Sequence, residues 1–386
     1  MSYALGFLLG SATFMKKHSK VLIGLFFIYL SVIYIYATNI PDRPLYQLQY
    51  DYSMSFISEP LYNGFAWIFR WFHMGYPVYR AFLCFLGLGL ITKTFMDFSP
   101  YPATVLCLYF IYPFCIDVVQ VRSFVATAIA FFSIRFLIKY QLDNKMINVL
   151  WFGLCIIAAA GFHYSAILYG IVGILFFNIK KHVITIFSIL PLIAIVIALN
   201  IPFIMSLIYD VIGEHKAELW VEKQIDTSLI RLIRLIVSRG GIILLILVFS
   251  GVVKNKDYKL YKEEVNNDEK ELKEAETNIL FYDKKIDDCL TKSIILIFIY
   301  TVFDIFIAGD YERLSRLGLL LAFVQLSRMI YRSKKEEQRY LWGMVLIYFI
   351  VYFLSIMFGM SSSGIPYFKF VFRNVMENNP FFITIK

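Results

Sequence analysis

Residues 21–77 read VLIGLFFIYLSVIYIYATNIPDRPLYQLQYDYSMSFISEPLYNGFAWIFRWFHMGYP. The first part, 21–38, is an uncharged and mostly apolar run of the length that a helix needs to cross the hydrocarbon core of a bilayer. The interval Pro41–Pro77 then mixes acidic, polar and aromatic residues before the next apolar run begins. Long apolar runs separated by short polar intervals predict a helical membrane protein.

The rest of the chain repeats this pattern. Of its 386 residues, 59% are hydrophobic and 17% charged, and the mean hydropathy is +0.67, which is more apolar surface than a soluble protein of this size can hide. We therefore predict an all-α polytopic membrane protein with one integral membrane domain, 1–386. About twelve spans are predicted, at 3–15, 21–38, 79–96, 102–119, 123–138, 146–162, 164–177, 183–200, 238–253, 293–308, 314–330 and 341–358. Lysines follow the first run rather than precede it, which favours a short span over a signal peptide.

Alternate connections between these spans must share a side of the membrane. One set of connections holds 23 of the 37 basic residues, so the positive-inside rule makes that set cytoplasmic. The rule predicts an outer loop at 39–78, an outer amphipathic segment at 201–237 and a charged cytoplasmic loop at 254–292. The net charge of +9 is then a matter of membrane orientation, and it does not indicate nucleic-acid binding.

Lysine and arginine are distributed differently between the two sides. In this topology 19 of the 23 lysines are cytoplasmic, whereas ten of the 14 arginines are on the outer side. Orientation signals treat the two residues alike, so they do not explain the difference. The planar guanidinium binds phosphate through two hydrogen bonds, which favours an anionic substrate such as a pyrophosphate. Snorkelling and interfacial packing of the arginines are the alternative.

The outer loop 39–78 contains acids beside aromatic rings. Its acids are Asp42, Asp51 and Glu59, and its tyrosines include Tyr46, Tyr50 and Tyr62. Aromatic faces pack on the C–H surfaces of sugar rings, and a carboxylate accepts a hydroxyl proton, so this combination suits a carbohydrate site. An interfacial loop whose rings lie at headgroup level is the alternative.

Further outer residues suit anion binding or proton transfer. Arg122 is placed at the start of a span, where a helix N-terminus and a guanidinium together favour an anion. His163 lies at the outer junction of two spans, and Arg313 and Arg316 lie in the outer sequence GDYERLSRLG. The five cysteines form no CxxC pair, and we predict neither a metal site nor a disulfide.

The order of these small motifs resembles the EpsG-type branch of the Wzy polysaccharide polymerases over most of the chain. The motifs are Asp42-x3-Tyr46-x3-Tyr50, Glu59-Pro60-Leu61-Tyr62, Arg122-x3-Ala126, Phe162-His163-Tyr164-Ser165-Ala166, Arg313 or Arg316, and Ile365-Pro366-Tyr367. The Arg-x-Gly-x-Asp-Tyr sequence of that branch is replaced by Asn39-Ile40-Pro41-Asp42-Arg43. This difference leaves open whether Asp42 or Asp51 is the functional aspartate.

The resemblance implies a glycosyltransferase of the GT-C type, with the active site built from outer loops. It would polymerise undecaprenyl-diphosphate-linked oligosaccharide repeat units into capsular polysaccharide, exopolysaccharide or O-antigen on the outer face of a bacterial plasma membrane, with no cofactor. The implied partners are this substrate, membrane lipid, a chain-length regulator and a flippase of the same pathway.

The predicted roles follow from that reaction. The acceptor hydroxyl needs a base and the diphosphate needs cations. We predict Glu59, or Asp42 in its place, as base or acceptor-orienting carboxylate, with His163 bonding the diphosphate or relaying a proton. The predicted diphosphate clamp is Arg122, Arg313 and Arg316. Tyr46, Tyr50, Asp51 and Tyr62 are predicted to contact sugar.

Three other functions fit parts of the pattern. A transporter or flippase of the same lipid-linked units would line a cavity with charges at mid-membrane depth, where this sequence offers mainly Asp304. A membrane O-acyltransferase acting on the polysaccharide would need polar spans that reach a cytoplasmic acyl donor. A structural subunit of an envelope complex would make the ordered motifs a coincidence.

Overall fold

The computed structural model describes residues 2–13, 19–52, 59–176, 240–252, 284–300, 310–333, 335–358 and 368–383, and all of its regular structure there is helical. The α-helices are α1 Ser2–Thr13, α2 Lys20–Tyr36, α3 Arg43–Asp51, α4 Pro60–Trp71, α5 Tyr76–Phe98, α6 Pro102–Ile111, α7 Phe114–Val119, α8 Val121–Asp143, α9 Met146–Phe162, α10 Gly241–Val252, α11 Lys284–Tyr300, α12 Asp310–Arg332, α13 Lys335–Met357 and α14 Pro380–Ile383. A 3₁₀ segment covers Tyr164–Phe176, and a π-helical segment covers Phe368–Glu377.

Three of these helices are long and apolar enough to cross a membrane. They are α5, α8 and the part of α13 from Glu336 to Ser355. At 1.5 Å per residue, the 23 residues of α5 and of α8 extend about 35 Å, which exceeds the hydrocarbon thickness. Shorter apolar helices, α2, α6 and α9, accompany them, together with the 3₁₀ segment. This architecture indicates a multi-pass membrane protein.

Helix α8 lies at the centre of the bundle and packs against α5, α9 and α12. Asn144 ends α8 in the left-handed conformation, with φ 55°, and α9 begins two residues later. Such a tight turn makes α8 and α9 an antiparallel pair. The start of α8 and the end of α9 therefore lie at the same end of the bundle.

Two other helices also begin at this end of the bundle. Helix α5 runs parallel to α8, since Gly87 faces Phe124 near the start of α8 and Asp97 pairs with Arg135 further along. Arg316, near the start of α12, contacts Gln120 immediately before α8. We call the end of the bundle where α5, α8 and α12 begin and α9 ends the site end.

The structure differs from the predicted elements at four places. Helix α11 begins at Lys284, within the predicted loop 254–292 and nine residues before the predicted span 293–308. The predicted loop 39–78 contains two helices, α3 and α4, where we expected none. The predicted single span 102–119 is divided into α6 and α7, because Pro113 has no backbone N–H with which to continue a helix. The predicted span 164–177 is a 3₁₀ segment rather than an α-helix.

Other predicted elements agree with the structure or lie beyond it. Helix α9 has the predicted bounds, 146–162, and α5, α8, α12 and α13 extend the predicted spans by a few residues at one or both ends. Several predictions lie wholly or largely outside the described residues: the span 183–200, the amphipathic segment 201–237, most of the loop 254–292, Asp304, and the Ile365-Pro366-Tyr367 motif. The number of twelve spans stays a prediction.

The central contact between α5 and α8 depends on the absence of a side chain at Gly87. A Cβ atom at this position would lie 2.3 Å from Cε1 of Phe124, whose side chain is fully buried. No atom lies within 4 Å of the corresponding position at Gly89, on the same helix. The backbone of α5 therefore approaches the ring of Phe124 more closely than any other residue type allows.

We expect Gly87→Ala to lower the free energy of unfolding by about 1–3 kcal/mol, because the added methyl group overpacks the contact with Phe124. Gly89→Ala is the matched control, since it raises helix propensity in the same helix without meeting a neighbour. Thermal unfolding of the two purified variants in one detergent measures the difference. Equal midpoints would show that α5 and α8 do not pack in this way.

Candidate active site

Three helix termini meet at the site end of the bundle, and each supplies one polar side chain. Glu59 immediately precedes α4, Arg122 is the second residue of α8, and His163 immediately follows α9. Pro60 fixes the start of α4, because its ring suits the first turn of a helix. The antiparallel packing of α8 and α9 brings Arg122 and His163 to the same level, so Glu59 meets both.

Glu59 is the centre of this cluster. One carboxylate oxygen, Oε2, accepts a hydrogen bond from Nη1 of Arg122, and the other, Oε1, lies 2.8 Å from Nδ1 of His163. The Glu59 and His163 side chains are 2% and 6% exposed, and that of Arg122 is 18% exposed. Both oxygens of a buried carboxylate thus have a partner, as such a group requires.

These contacts keep the Glu59 carboxylate ionised. Burial by itself raises the pKa of Glu59, but the hydrogen bond to His163 and the positive charge of Arg122 outweigh it, so the pKa lies below its ordinary value. An ionised carboxylate carries no proton to donate, and Nδ1 of His163 must therefore donate in this bond. In the neutral ring, Nε2 is then the basic nitrogen.

A wall of tyrosine rings lies beside the ion pair. The guanidinium carbon of Arg122 lies 5.1 Å from the centre of the Tyr46 ring and 5.8 Å from that of Tyr62. Tyr79 lies 5.4 Å from the rings of both Tyr62 and Tyr50, and its hydroxyl donates to the carbonyl of Tyr62 at 2.7 Å. These contacts fix α3 and α4 on the start of α5.

A second buried ion pair lies next to the first. Nη1 of Arg316 donates to Oδ1 of Asp117 at 2.5 Å, and Oδ2 of Asp117 accepts from the Tyr109 hydroxyl at 3.0 Å. The other arm of Arg316, Nη2, donates to Oε1 of Gln120, which precedes α8. Arg316 thus joins α12 to α7 through Asp117, and to the connection between α7 and α8 through Gln120, two residues before Arg122.

A glycine allows α4 to approach the end of α9. A Cβ atom on Gly161 would lie 2.7 Å from Cγ of Leu61, so no larger residue fits without a shift of α4. Leu61 follows Glu59 by two residues and Gly161 precedes His163 by two. The close approach therefore helps to place the carboxylate against the imidazole.

The predicted site residues fall into two groups. The structure brings Glu59, Arg122, His163, Tyr46 and Tyr62 together in one cluster. The others lie around this cluster. Arg316 is in the adjacent ion pair, and Tyr50 stacks on Tyr79 and donates to the carbonyl of Met74 at 2.6 Å. Asp51 is exposed at the end of α3, Asp42 directly precedes α3, and Arg313 is in the first turn of α12 with its side chain outside the described part. Their catalytic and binding roles stay predictions.

Several residues of the site end were not predicted as site residues. They are Asp117, Gln120, Tyr109, Tyr76, Tyr79, Arg43 and Arg80. Asp117 had a signal in the sequence, because a carboxylate inside an apolar stretch requires a cationic partner. Its partner, Arg316, lies 199 residues away along the chain, and only the fold brings the two together.

The comparisons with known proteins identify one family. A family profile described as the EpsG family matches residues 20–370, a range that contains every residue of the cluster. Neither the curated proteins nor the solved structures include a match. Within the described ranges, no three His, Cys, Asp or Glu side chains group closely enough to hold a metal ion.

We expect a strong energetic coupling between Glu59 and Arg122. Either single variant, Glu59→Gln or Arg122→Gln, leaves a buried charge without its partner and should lower the free energy of unfolding by about 3–5 kcal/mol. The double variant removes both charges and should be destabilised by clearly less than the sum of the two. Thermal or denaturant unfolding of the four proteins measures the coupling.

The exposed pair Arg373 and Glu377 is the control cycle, because their side chains are 56% and 52% exposed. Its coupling should lie below about 1 kcal/mol. Additive effects of the Glu59 and Arg122 substitutions would contradict a buried pair.

Proposed function

The chain belongs to the EpsG family, which is associated with exopolysaccharide biosynthesis, and from that premise we propose that it is a polysaccharide polymerase. It would join undecaprenyl-diphosphate-linked oligosaccharide repeat units into a chain of exopolysaccharide, capsule or O-antigen type. The proposed class is a membrane-embedded glycosyltransferase of the GT-C type.

The observation that carries this proposal is the buried cluster of Glu59, His163 and Arg122 at three helix termini. A carboxylate and an imidazole in hydrogen-bond contact form a unit that takes up a proton. A guanidinium beside them supplies positive charge where an anion would approach. Proton uptake and charge stabilisation are the two requirements for transfer of a glycosyl group from a diphosphate.

The proposed reaction is a transfer of the growing chain from the lipid diphosphate to an acceptor sugar. The oxygen of an acceptor sugar hydroxyl forms a bond to the anomeric carbon of the lipid-linked chain. The bond from that carbon to the diphosphate oxygen breaks, and its electron pair leaves with the lipid diphosphate. The hydroxyl proton passes to Nε2 of His163, while Glu59 stabilises the resulting imidazolium through Nδ1–H.

This assignment refines the role of Glu59. A general base works best when its pKa lies near the operating pH, whereas the pKa of Glu59 is lowered. We therefore assign Glu59 to orientation and charge stabilisation, and the proton to His163. Tyr46 and Tyr62, the part of the tyrosine wall next to Arg122, would hold a sugar ring beside this pair.

The proposed location is the outer face of a bacterial plasma membrane, where the positive-inside rule places the loop 39–78. The site end of the bundle contains the start of α5 and the end of α9, which the predicted topology puts on that same side. A chain-length regulator and a flippase of the pathway are the proposed partners, and no cofactor is required by the step above.

The test is incubation of the purified protein with a defined lipid-diphosphate repeat unit, followed by gel analysis for a ladder of products. We expect His163→Asn to lower the polymerisation rate by about 10²-fold or more, because removing a general base has an effect of this size. The asparagine amide can still donate to Glu59 in place of Nδ1, so the variant should stay folded.

His73→Asn is the matched control. His73 is exposed and has φ 54°, a backbone conformation that asparagine tolerates well, so this variant should polymerise at the wild-type rate. Addition of EDTA should leave the ladder unchanged. Normal polymerisation by His163→Asn would contradict the proposed role, and export of intact repeat units without any ladder would identify a flippase instead.

A second comparison tests whether either aspartate of the outer loop 39–78, Asp42 or Asp51, takes part in the reaction. Asp51→Asn changes an exposed side chain at the end of α3, and Asp42→Asn changes the residue directly before it. Because Glu59 and His163 complete the proton-transfer unit by themselves, we expect each variant to keep the rate within about tenfold of wild type. A loss as large as that of His163→Asn, in the same ladder assay, would assign that aspartate a direct part in the reaction.

A further inference from the structure

Arg80 is a buried arginine that pairs with no carboxylate of the described residues. It lies on α5, its side chain is 2% exposed, and its guanidinium carbon is 4.8 Å from the centre of the Tyr34 ring. Nη2 donates to two backbone carbonyls, of Tyr34 at 3.1 Å and of Val118 at 3.0 Å. No described acceptor pairs with Nη1.

The other deeply buried arginines of the described chain have acidic partners. Arg122 pairs with Glu59, Arg316 with Asp117, and both Arg328 and Arg332 with Asp287. A guanidinium stays protonated at any physiological pH, and burial of an uncompensated charge is costly. Arg80 is the exception among them, because no carboxylate of the described ranges balances its charge.

A second cation lies near Arg80. Arg43, at the start of α3, is partly buried, and its Nε atom is buried without a described acceptor. Burial lowers the pKa of Arg43, and the positive charge of Arg80 lowers it further. Two like charges close together repel each other, so an anion between them would relieve both.

A tyrosine hydroxyl completes the group. Tyr76 lies one helical turn before Arg80 on α5 and is 1% exposed. Its hydroxyl oxygen lies against the guanidinium of Arg80 and within reach of the charge of Arg43, and no acceptor in the described ranges takes the hydroxyl proton. Nε of Arg43, Nη1 of Arg80 and the hydroxyl of Tyr76 can each donate a hydrogen bond for which the described ranges offer no acceptor.

Several donors beside two positive charges fit an anion that has several oxygen acceptors. A diphosphate diester has an ionised oxygen on each phosphorus, and guanidinium groups bind such oxygens in pairs. Arg80 is the fifth residue of α5, about 6 Å from the start of a membrane-crossing helix. Lipid phosphates lie at this depth, at the boundary of the hydrocarbon region.

We propose that Arg43, Arg80 and Tyr76 form the subsite that binds the diphosphate of the lipid-linked substrate. This inference rests on the proposed polymerase function, and it assigns the diphosphate to residues other than the predicted clamp. Arg122 and Arg316 each pair with a carboxylate, whereas Arg43 and Arg80 pair with none in the described ranges. The Tyr76 ring is 5.8 Å from that of Tyr50, so the subsite adjoins the tyrosine wall.

The test is binding of a short-chain prenyl diphosphate to the purified protein in detergent, followed by thermal shift and titration. We expect binding to the wild type, and about tenfold or more weaker binding to Arg43→Gln and to Arg80→Gln, because each loses charged hydrogen bonds to the ligand. Arg80→Lys keeps the charge but not the planar fork, and it should bind with intermediate affinity. It also serves as the folded variant if glutamine is not tolerated.

Arg135→Gln is the matched control, since Arg135 is a partly buried arginine on α8 that pairs with Asp97, far from the site end. It should bind the prenyl diphosphate as the wild type does. Inorganic pyrophosphate tests whether the bound anion is attached to a lipid. If pyrophosphate binds more weakly than the prenyl diphosphate, the ligand is lipid-linked as proposed. If it binds equally or more tightly, the site binds a free phosphate anion and the proposed lipid-linked ligand is wrong.

Two outcomes separate this inference from the polymerase proposal. A wild-type ladder, with prenyl diphosphate affinity unchanged in Arg43→Gln and Arg80→Gln, would overturn the subsite and leave the polymerase standing. Arginine-dependent binding without any ladder would support the subsite and remove the polymerase activity. Failure of the wild type to bind the prenyl diphosphate would overturn the subsite outright.

Discussion

The buried carboxylate of Glu59 is the group on which the arrangement of the site end depends. A charge that is withdrawn from water requires partners on both of its oxygens, and here the partners come from two other helices. Arg122 and His163 reach Glu59 because α4 begins beside the start of α8 and the end of α9. The ion pair therefore helps to fix the position of α4 relative to α8 and α9.

The buried arginines of this protein divide by the partner that each one has. Arg122 and Arg316 are held by Glu59 and Asp117, and these pairs join separate helices at the site end. A comparable arrangement on Asp287 joins α11 to α12 further along the bundle, near the end of α5, where Arg328 also contacts the carbonyl of Phe98. Arg80 differs, because its acceptors are neutral carbonyls. The paired arginines join separate helices, and Arg80 is one of the two that we propose to bind the diphosphate.

Hydrophobic periodicity and length were sufficient to predict the long elements, because the bilayer imposes a minimum on any helix that crosses it. Helix α9 has the predicted bounds, and α5 and α8 differ by a few residues. The interval 39–78 was predicted as a loop because its apolar residues are interrupted by charges and prolines. It nevertheless forms α3 and α4, whose tyrosines pack on the start of α5, and such tertiary packing overrides a weak local signal.

The sequence by itself determined that the chain is helical and membrane-bound, that its arginines are concentrated on one predicted side, and that Glu59, Arg122 and His163 are candidates for one site. These features can be predicted from the sequence because apolar length, charge and motif order are local properties of the chain. Only the tertiary structure decided which cation meets which acid. Arg316 and Asp117 are far apart in sequence, and only the packing of the described helices shows that Arg80 contacts neutral carbonyls there.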